Sequence, residues 1–323
     1  MPLTTVTRKP ARLTEKEDNS RTKHPDISPR EVELLALLAD KPLLNGNQIV
    51  ALRTSSTSLT LRLLLHLESR GLLSCSVPAG RAHIPVNRYY HLSSDGIRVL
   101  ARREGITPGR FAREHWLSPA RLTMLFNSLE HTRGSHQFFV DLALEARKHD
   151  DQALLVWQGE VAATRRYLWH GESRLLRPDG YGVYRKHGRV LPFYLEWDSG
   201  NMGIKRHRRK LRTYHQCRSG QGARGWELGA GGPTPNPPTP RSAGFPAILA
   251  VTTDERVRQL NRAALQVARS RQDLVLSLFI TTRRELEAVG TFGCHWWDVR
   301  SQRSVTLDDA PNVWIELNRE KEA

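Results

Sequence analysis

Apolar positions in the first third of the chain recur at helical spacing in short runs separated by turn residues. Residues 1–25 carry no such period. They are polar and rich in lysine and threonine, and read as a disordered basic tail. At Ser28-Pro29-Arg30-Glu31 an N-cap residue, a proline at the first helical position and an early acid open a helix. Val32, Leu35, Leu38 and Ala39 continue it, and Pro42 ends it. A second short helix from Asn45 to Leu52 turns Ile49 and Leu52 inward. After the polar turn Arg53 to Ser56, a third helix runs to about Arg70, with Leu59, Leu63 and Leu67 spaced every four residues and Gly71 as its C-cap. Two extended segments follow, Leu72 to Val77 and Arg88 to Leu92, joined by the turn-rich, basic Pro78-Ala79-Gly80-Arg81. Ser93-Ser94-Asp95-Gly96 then caps a helix from Ile97 to Arg103.

Three helices, a hairpin and a helix are the order of a winged helix–turn–helix domain, predicted here over residues 26–115. Gly71-Leu72-Leu73, Tyr89-Tyr90-His91-Leu92 and Asp95-Gly96 resemble the wing region of many bacterial transcription and replication proteins. Such a domain puts the N-terminal residues of its third helix at base edges in the major groove. Arg53, Ser56, Thr57 and Thr60 are the candidates, with Arg81 and Arg88 meeting phosphates from the wing.

Residues 116–150 are predicted to be a helical connector. Leu122, Leu125, Phe126, Leu129, Phe138, Phe139, Leu142 and Leu144 supply its apolar faces, and Gly134 is expected to split it in two. His131 and His136 do not share a helix face and read as ordinary surface or packing histidines. The pattern then changes. Ala153 to Trp157, Pro246 to Val251 and Leu274 to Ile280 are continuous apolar runs of strand length, and Asp179 to Tyr184 with Val190 to Trp197 reads as a hairpin. Helices are expected from Ile204 to Cys217, Glu255 to Arg269 and Arg283 to Val289. Strands alternating with helices predict a sheet domain over residues 151–300, in the α+β or α/β class. Residues 218–244 are crowded with Gly, Pro, Ser and Thr and are read as a flexible insertion. Residues 301–323 are read as a C-terminal tail.

Charge adds a partner class. Lys and Arg number 49 against 33 Asp and Glu, a formal net charge of +16. Such an excess favours polyanions, and double-stranded DNA first, because neutralised phosphates release counterions. No apolar run spans a bilayer and no apolar leader opens the sequence, so the expected location is the cytoplasm, away from membranes. Cys75, Cys217 and Cys294 are far apart and form no CxxC pair, so they are read as reduced thiols rather than zinc ligands.

The chemical signal lies in the hairpin. With His187-Gly188 as a two-residue loop, opposed residues sum to 375, and Asp179 then faces Glu196. Directly opposed Cβ atoms lie roughly 5 Å apart. Two bare carboxylates there repel, and a divalent cation offsets this; Mg²⁺ takes one or two carboxylates plus phosphate oxygens and water. A bulge at Pro192 would break the count, and an acid salt-bridged on a half-exposed strand is the plainer alternative. The following helix opens with a dense basic run that includes Lys205, Arg206, Arg208 and Arg209. Acids for a metal beside bases for phosphates is what phosphodiester cleavage requires. Lys210 and Tyr214 share a helix face; Lys210 would stabilise developing phosphorane charge, whereas Tyr214 packs or touches phosphate.

Pro178-Asp179 followed by Glu196-x-Asp198 resembles the PD-(D/E)xK nuclease superfamily. The pattern wants lysine where Asp198 stands, and Lys210 from the next helix could replace it. The wider arrangement resembles the replication-relaxation family of bacterial plasmids and mobile elements over roughly residues 28–290. The quoted signals are Leu129-Glu130-His131, Trp157 with Glu160, Pro178-Asp179, Glu196-x-Asp198-x-Gly200, Lys210-Leu211 with Tyr214, Phe245-Pro246 and Arg256. The resemblance implies a winged helix joined to a restriction-endonuclease-like sheet domain. It implies plasmid replication or relaxation, with other plasmid replication or mobilisation proteins as further partners and a homodimer left open. Two readings follow. One is a Mg²⁺-dependent DNA nickase or endonuclease, with Asp179, Glu196 and Lys210 as catalytic residues, and Glu160 and Asp198 as further metal ligands. The other is a non-catalytic replication or transcription factor with a degenerate nuclease fold. A relaxase with paired histidines is disfavoured, since the chain contains no His-x-His.

Overall fold

The computed structural model describes residues 27–53, 55–78, 84–200, 202–220, 244–269, 276–310 and 312–316. The tail at 1–25, Arg81 and most of the insertion read at 218–244 lie outside the described residues.

The N-terminal unit is α1 (Pro29–Asp40), β1 (Leu44–Asn45), α2 (Gly46–Leu52), α3 (Thr57–Ser69), β2 (Leu73–Ser76), β3 (Tyr89–Leu92) and α4 (Ser94–Arg103). The cap chemistry places the helix starts. Ser28 and Glu31 form a reciprocal capping box on α1, Asn45 and Gln48 another on α2, and the Ser93 hydroxyl accepts from two backbone N–H groups of α4. β1, β3 and β2 form a three-stranded sheet in that order. Leu34, Leu35, Leu38, Ile49, Leu64, Leu67 and Tyr90 are buried beneath it. This is the winged helix–turn–helix order.

Of the three leucines spaced every four residues in α3, Leu67 is buried and Leu63 half-buried, but Leu59 is not. Leu59 is 49% exposed and Thr60 only 1%. Leu64 and Leu67 are the buried leucines of this helix, with Leu63 half-buried beside them. The i+4 leucine count therefore departs from the buried face at Leu59, where Thr60 points inward instead.

α5 (Pro108–Glu114), which the pattern did not predict, falls at the end of the span read as the winged unit, and the connector contains α6 (Pro119–Asn127) and α7 (Leu129–Ala146). The helix break falls at Ser128, and α7 runs unbroken through Gly134. A Cβ on Gly134 would lie 2.2 Å from Cε2 of Trp197, so glycine here serves close packing rather than a break.

The second unit is an eight-stranded mixed sheet. In chain order it holds β4 (Ala153–Gly159), a short helix α8 (Glu160–Ala163), a separate hairpin β5 (Arg165–Trp169) and β6 (Glu172–Leu176), then β7 (Gly180–Lys186) and β8 (Arg189–Trp197). There follow α9 (Ile204–Gly220), β9 (Ala247–Thr252), α10 (Val257–Arg269), β10 (Leu278–Thr282), α11 (Arg283–Gly293), β11 (Trp296–Asp298), β12 (Arg303–Val305) and β13 (Ile315–Glu316). The order is β12-β11-β10-β9-β8-β7-β4, with β13 beside the start of β8. β8, β9 and β10 run parallel and the other pairs antiparallel. α9 begins the expected insertion three residues late, since residues 218–220 are still helical. The segment read as a tail from residue 301 instead adds β12 to the sheet edge and β13 to β8. Short strands with mixed polarity lack a readable period, and pairing defines them, β12 with the preceding β11 and β13 with the distant β8.

The central strands β7 to β10 are buried on both faces, as their apolar runs require. In β9, Ile248 and Ala250 face α9 and α10, whereas Leu249 and Val251 face α7 and α11. Helix α7 also carries the N-terminal unit: Gln48 Nε2 donates to the Arg133 carbonyl at 3.1 Å, and Arg147 donates to the carbonyls of Ala51 and Leu52. Among the described residues no helix is long and apolar enough to cross a membrane. The three cysteines are free thiols.

Candidate functional site

The β7–β8 register follows from its turn. His187 and Gly188 both have positive φ, 51° and 73°, as the type I′ loop of a two-residue hairpin demands. Lys186 pairs with Arg189 and the count continues to Gly180 opposite Leu195. Pro192 makes no bulge and stands opposite Val183. On its other edge β8 pairs with β13 at 189–190 and with β9 from Phe193 onward, so the proline occupies the gap between two partners. The pleat then puts Glu196 on the α9 face with Tyr194. Asp179, just before β7, lies beside it, its N–H donating to the Leu195 carbonyl at 3.1 Å.

Lys210 of α9 closes the pair. Its Nζ lies 3.3 Å from Asp179 Oδ1 and makes a close ion pair with Glu196. The Trp197 N–H donates to Asp179 Oδ2 at 2.7 Å, and the Tyr214 hydroxyl donates to Glu196 Oε1. His131, from the first turn of α7, places Nε2 3.4 Å from Asp179 Oδ1.

The two acids are driven apart in acidity. Burial pushes Glu196 up to about 7, and the Asp179 charge adds to this while Lys210 opposes it. Burial also works to raise Asp179, but Lys210, His131 and the Trp197 N–H outweigh it and hold that carboxyl well below the usual range. Burial would depress Lys210, yet the two carboxylates hold its ammonium above its ordinary value. A charged acid beside one poised near neutrality is how two carboxylates take different roles in one site.

Asp179, Lys210 and His131 line an open cleft of about 710 Å³ between α6, the start of α7, β6 and α9, with Arg206 and Arg209 on its wall, whereas Glu196 and Tyr214 line a smaller pocket on the other side of Lys210. Lys205, Arg206 and Arg209 are exposed along α9, whereas Arg208 donates to Gln266 Oε1 at 3.3 Å.

Glu160 and Asp198, expected as further metal ligands, are engaged elsewhere. Glu160 is paired with Arg121 of α6. Asp198 is buried, accepting from Thr252 Oγ1 at 2.8 Å and the Gly200 N–H at 3.0 Å, with His207 at 3.5 Å. Its role is to fix the turn between β8 and α9, where Arg283 donates to its carbonyl at 2.6 Å. Among the described residues no three His, Cys, Asp or Glu side chains gather as a metal cage. The Asp179–Glu196 pair is the part of the expected set that converges. A pair fits a hard cation that retains water and takes its remaining ligands from a phosphate.

In the N-terminal unit Ser56 and Thr57 are exposed at the start of α3 and Arg53 is half-buried beside them. Thr60 is not available to a base: it is buried, with Oγ1 3.0 Å from Ser55 Oγ. Arg88 is committed to Glu68 of α3 at 2.7 Å, which anchors the wing strand to the helix instead of presenting a free cation.

His131 is the site residue that spacing missed. Its distance in sequence from His136 is uninformative, because its partner, Asp179, lies on another element. The Leu129-Glu130-His131 signal held the clue. His136 is half-buried, and desolvation with the nearby Lys41 charge drives it down to about 3.

A winged-helix unit joined to a mixed sheet that presents an acid–lysine cluster defines a two-part protein with an open cleft walled by arginines and acids. The replication-relaxation family matches residues 35–227, a span that takes in the winged unit, the connector, both acids and Lys210. The chain belongs to that family and is a replication-related protein of the plasmid or mobile-element kind. No curated protein and no solved structure matches it.

Proposed function

We propose that this protein binds DNA through its winged helix–turn–helix unit and nicks or cleaves it with Mg²⁺-dependent chemistry in the sheet domain, in the cytoplasm. The observation that carries the reading is Lys210 Nζ lying between Asp179 and Glu196 on the wall of a cleft lined by Arg206 and Arg209. In this reading the lysine that the PD-(D/E)xK pattern wants two residues after the glutamate is supplied by Lys210 of α9, a reading supported by its ion pairs to both acids.

Asp179 and Glu196 would hold the cation, which supplies Lewis-acid polarisation of the phosphate. Lys210 stabilises negative charge developing on the phosphate oxygens. His131 and the Trp197 N–H hold Asp179 in place, and Tyr214 orients Glu196. Arg206 and Arg209 grip flanking phosphates, while Arg53, Ser56 and Thr57 approach the major groove.

The competing reading, a non-catalytic DNA-binding platform, is favoured by Asp198 in the lysine position. Incubation with supercoiled plasmid and Mg²⁺ separates the two. Wild type is expected to produce open circles and Glu196→Ala none, with DNA affinity retained by both. Absence of nicking by wild type, or equal nicking by Glu196→Ala, overturns the catalytic reading.

A further inference from the structure

Trp116 sits where the chain should carry glycine. It follows α5, its N–H donating to the Arg113 carbonyl, and it adopts φ +52°. A left-handed residue just past a helix is usually Gly, and a bulky residue there is strained. Strain of this kind persists where surrounding structure or function holds it. The indole is nonetheless 37% exposed. It lines a cavity shared with Arg121, His131 and Asp179, so it stands beside the acid cluster. Over its ring, 5.5 Å from the centroid, lies the guanidinium of Arg177, an exposed residue two positions before Asp179. Three buried nitrogens of residues lining that cavity, His115 Nε2, Arg121 Nε and His136 Nδ1, have no protein hydrogen-bond partner. On the adjoining cleft wall Met124 is half exposed.

We infer that Trp116 and Arg177 form a stacking platform for an unpaired nucleobase next to the phosphate held at Asp179, Glu196 and Lys210. The substrate is then DNA with a melted or single-stranded segment at the cleavage point, delivered by duplex contacts of the winged unit. This rests on the nuclease reading for the place of the phosphate. Stacking on an aromatic ring or a guanidinium plane is indifferent to base identity but requires an exposed base face, which a closed duplex withholds. The alternative, a tryptophan that merely packs, gives no reason for an exposed indole in a strained conformation beneath an arginine that makes no ion pair among the described residues.

Binding is measured by fluorescence anisotropy in EDTA, so that no cleavage is needed, using a labelled duplex and the same duplex with a central run of mismatches. Stacking is worth about 1–3 kcal/mol per base, and wild type should prefer the mismatched DNA by roughly 5- to 150-fold. Trp116→Gly should erase most of that preference while leaving duplex affinity unchanged. Glycine suits the positive φ, so this variant should melt no lower than wild type. Arg177→Lys keeps the charge but loses the plane and should also reduce the preference. Arg206→Ala should weaken both substrates alike. Equal affinity of wild type for the two DNAs, or an unchanged preference in Trp116→Gly, overturns the platform and leaves the nuclease reading standing. A platform intact in a protein that never nicks plasmid instead defeats the nuclease reading alone.

Discussion

Replacing Gly134 with alanine tests how the connector helix is seated on the site. The new Cβ would fall 2.2 Å from Cε2, 2.3 Å from Nε1 and 2.5 Å from Cζ2 of Trp197, more than an ångström inside ordinary contact. Neither side yields easily. Gly134 is inside α7, and Trp197 is a buried β8 residue with the Arg283 guanidinium 5.4 Å from its ring centroid. Overpacking of this kind costs about 1–3 kcal/mol, and the overlap argues for the upper part of that range. Removing a glycine from a helix interior returns about 1 kcal/mol. The net expectation is a loss of about 1–2 kcal/mol, opposite in sign to an ordinary helical Gly→Ala. Gly109 of α5 is the control, because nothing lies within 4 Å of its would-be Cβ; Gly109→Ala should gain a few tenths to about 1 kcal/mol. Urea unfolding followed by tryptophan fluorescence gives both values from the midpoint at constant slope. Trp197→Leu should shrink the Gly134→Ala penalty, since the two sites are in contact. Because the Trp197 N–H holds Asp179 Oδ2, plasmid nicking should fall as well. If Gly134→Ala proves as stable as Gly109→Ala, the packing of α7 against β8 described above is wrong.

Lys210→Met removes the cation between two acids that are only 11% and 16% exposed. A broken buried pair typically costs about 3–5 kcal/mol, and added Mg²⁺ should recover part of the lost melting temperature; a variant that melts like wild type without divalent ions refutes the triad. His136, depressed to about 3 from an ordinary value of 6.5, binds its proton more weakly folded than unfolded. Its stabilising contribution is therefore full above pH 6.5 and is lost as pH falls towards 3, by up to several kcal/mol; His136→Phe should flatten that part of an acid titration of stability, and an unchanged slope counts against it. Arg88→Ala should lower stability by up to about 1 kcal/mol through loss of its Glu68 pair with little change in DNA affinity, whereas Arg209→Ala should reduce the salt slope of binding by about 1. A drop in that slope for Arg88→Ala instead would return Arg88 to the DNA surface.

Local chemistry carried much of this protein into its sequence. Ser28 with Glu31, and Ser93 before α4, announced helix starts because caps act within a few residues. His187-Gly188 fixed the hairpin register, and with it the opposition of Asp179 and Glu196, because a two-residue turn leaves no freedom in the count. The apolar runs of β9 and β10 marked strands covered on both faces, whereas that of β4 marked an edge strand on which Leu155 is exposed. What local pattern could not express was partnership across distance. Thr60 is buried and Leu59 exposed because α1, α2 and the small sheet choose the face of α3. Gly134 lies within a helix because Trp197, far along the chain, needs the space. Arg88 is spent on Glu68, and Asp198 on Thr252 and His207. His131 joins the site only because α7 begins beside Asp179. A strand or helix period reports one element's own geometry, but a site is assembled from side chains on several elements, and their contacts exist only once the sheet and α7 have packed.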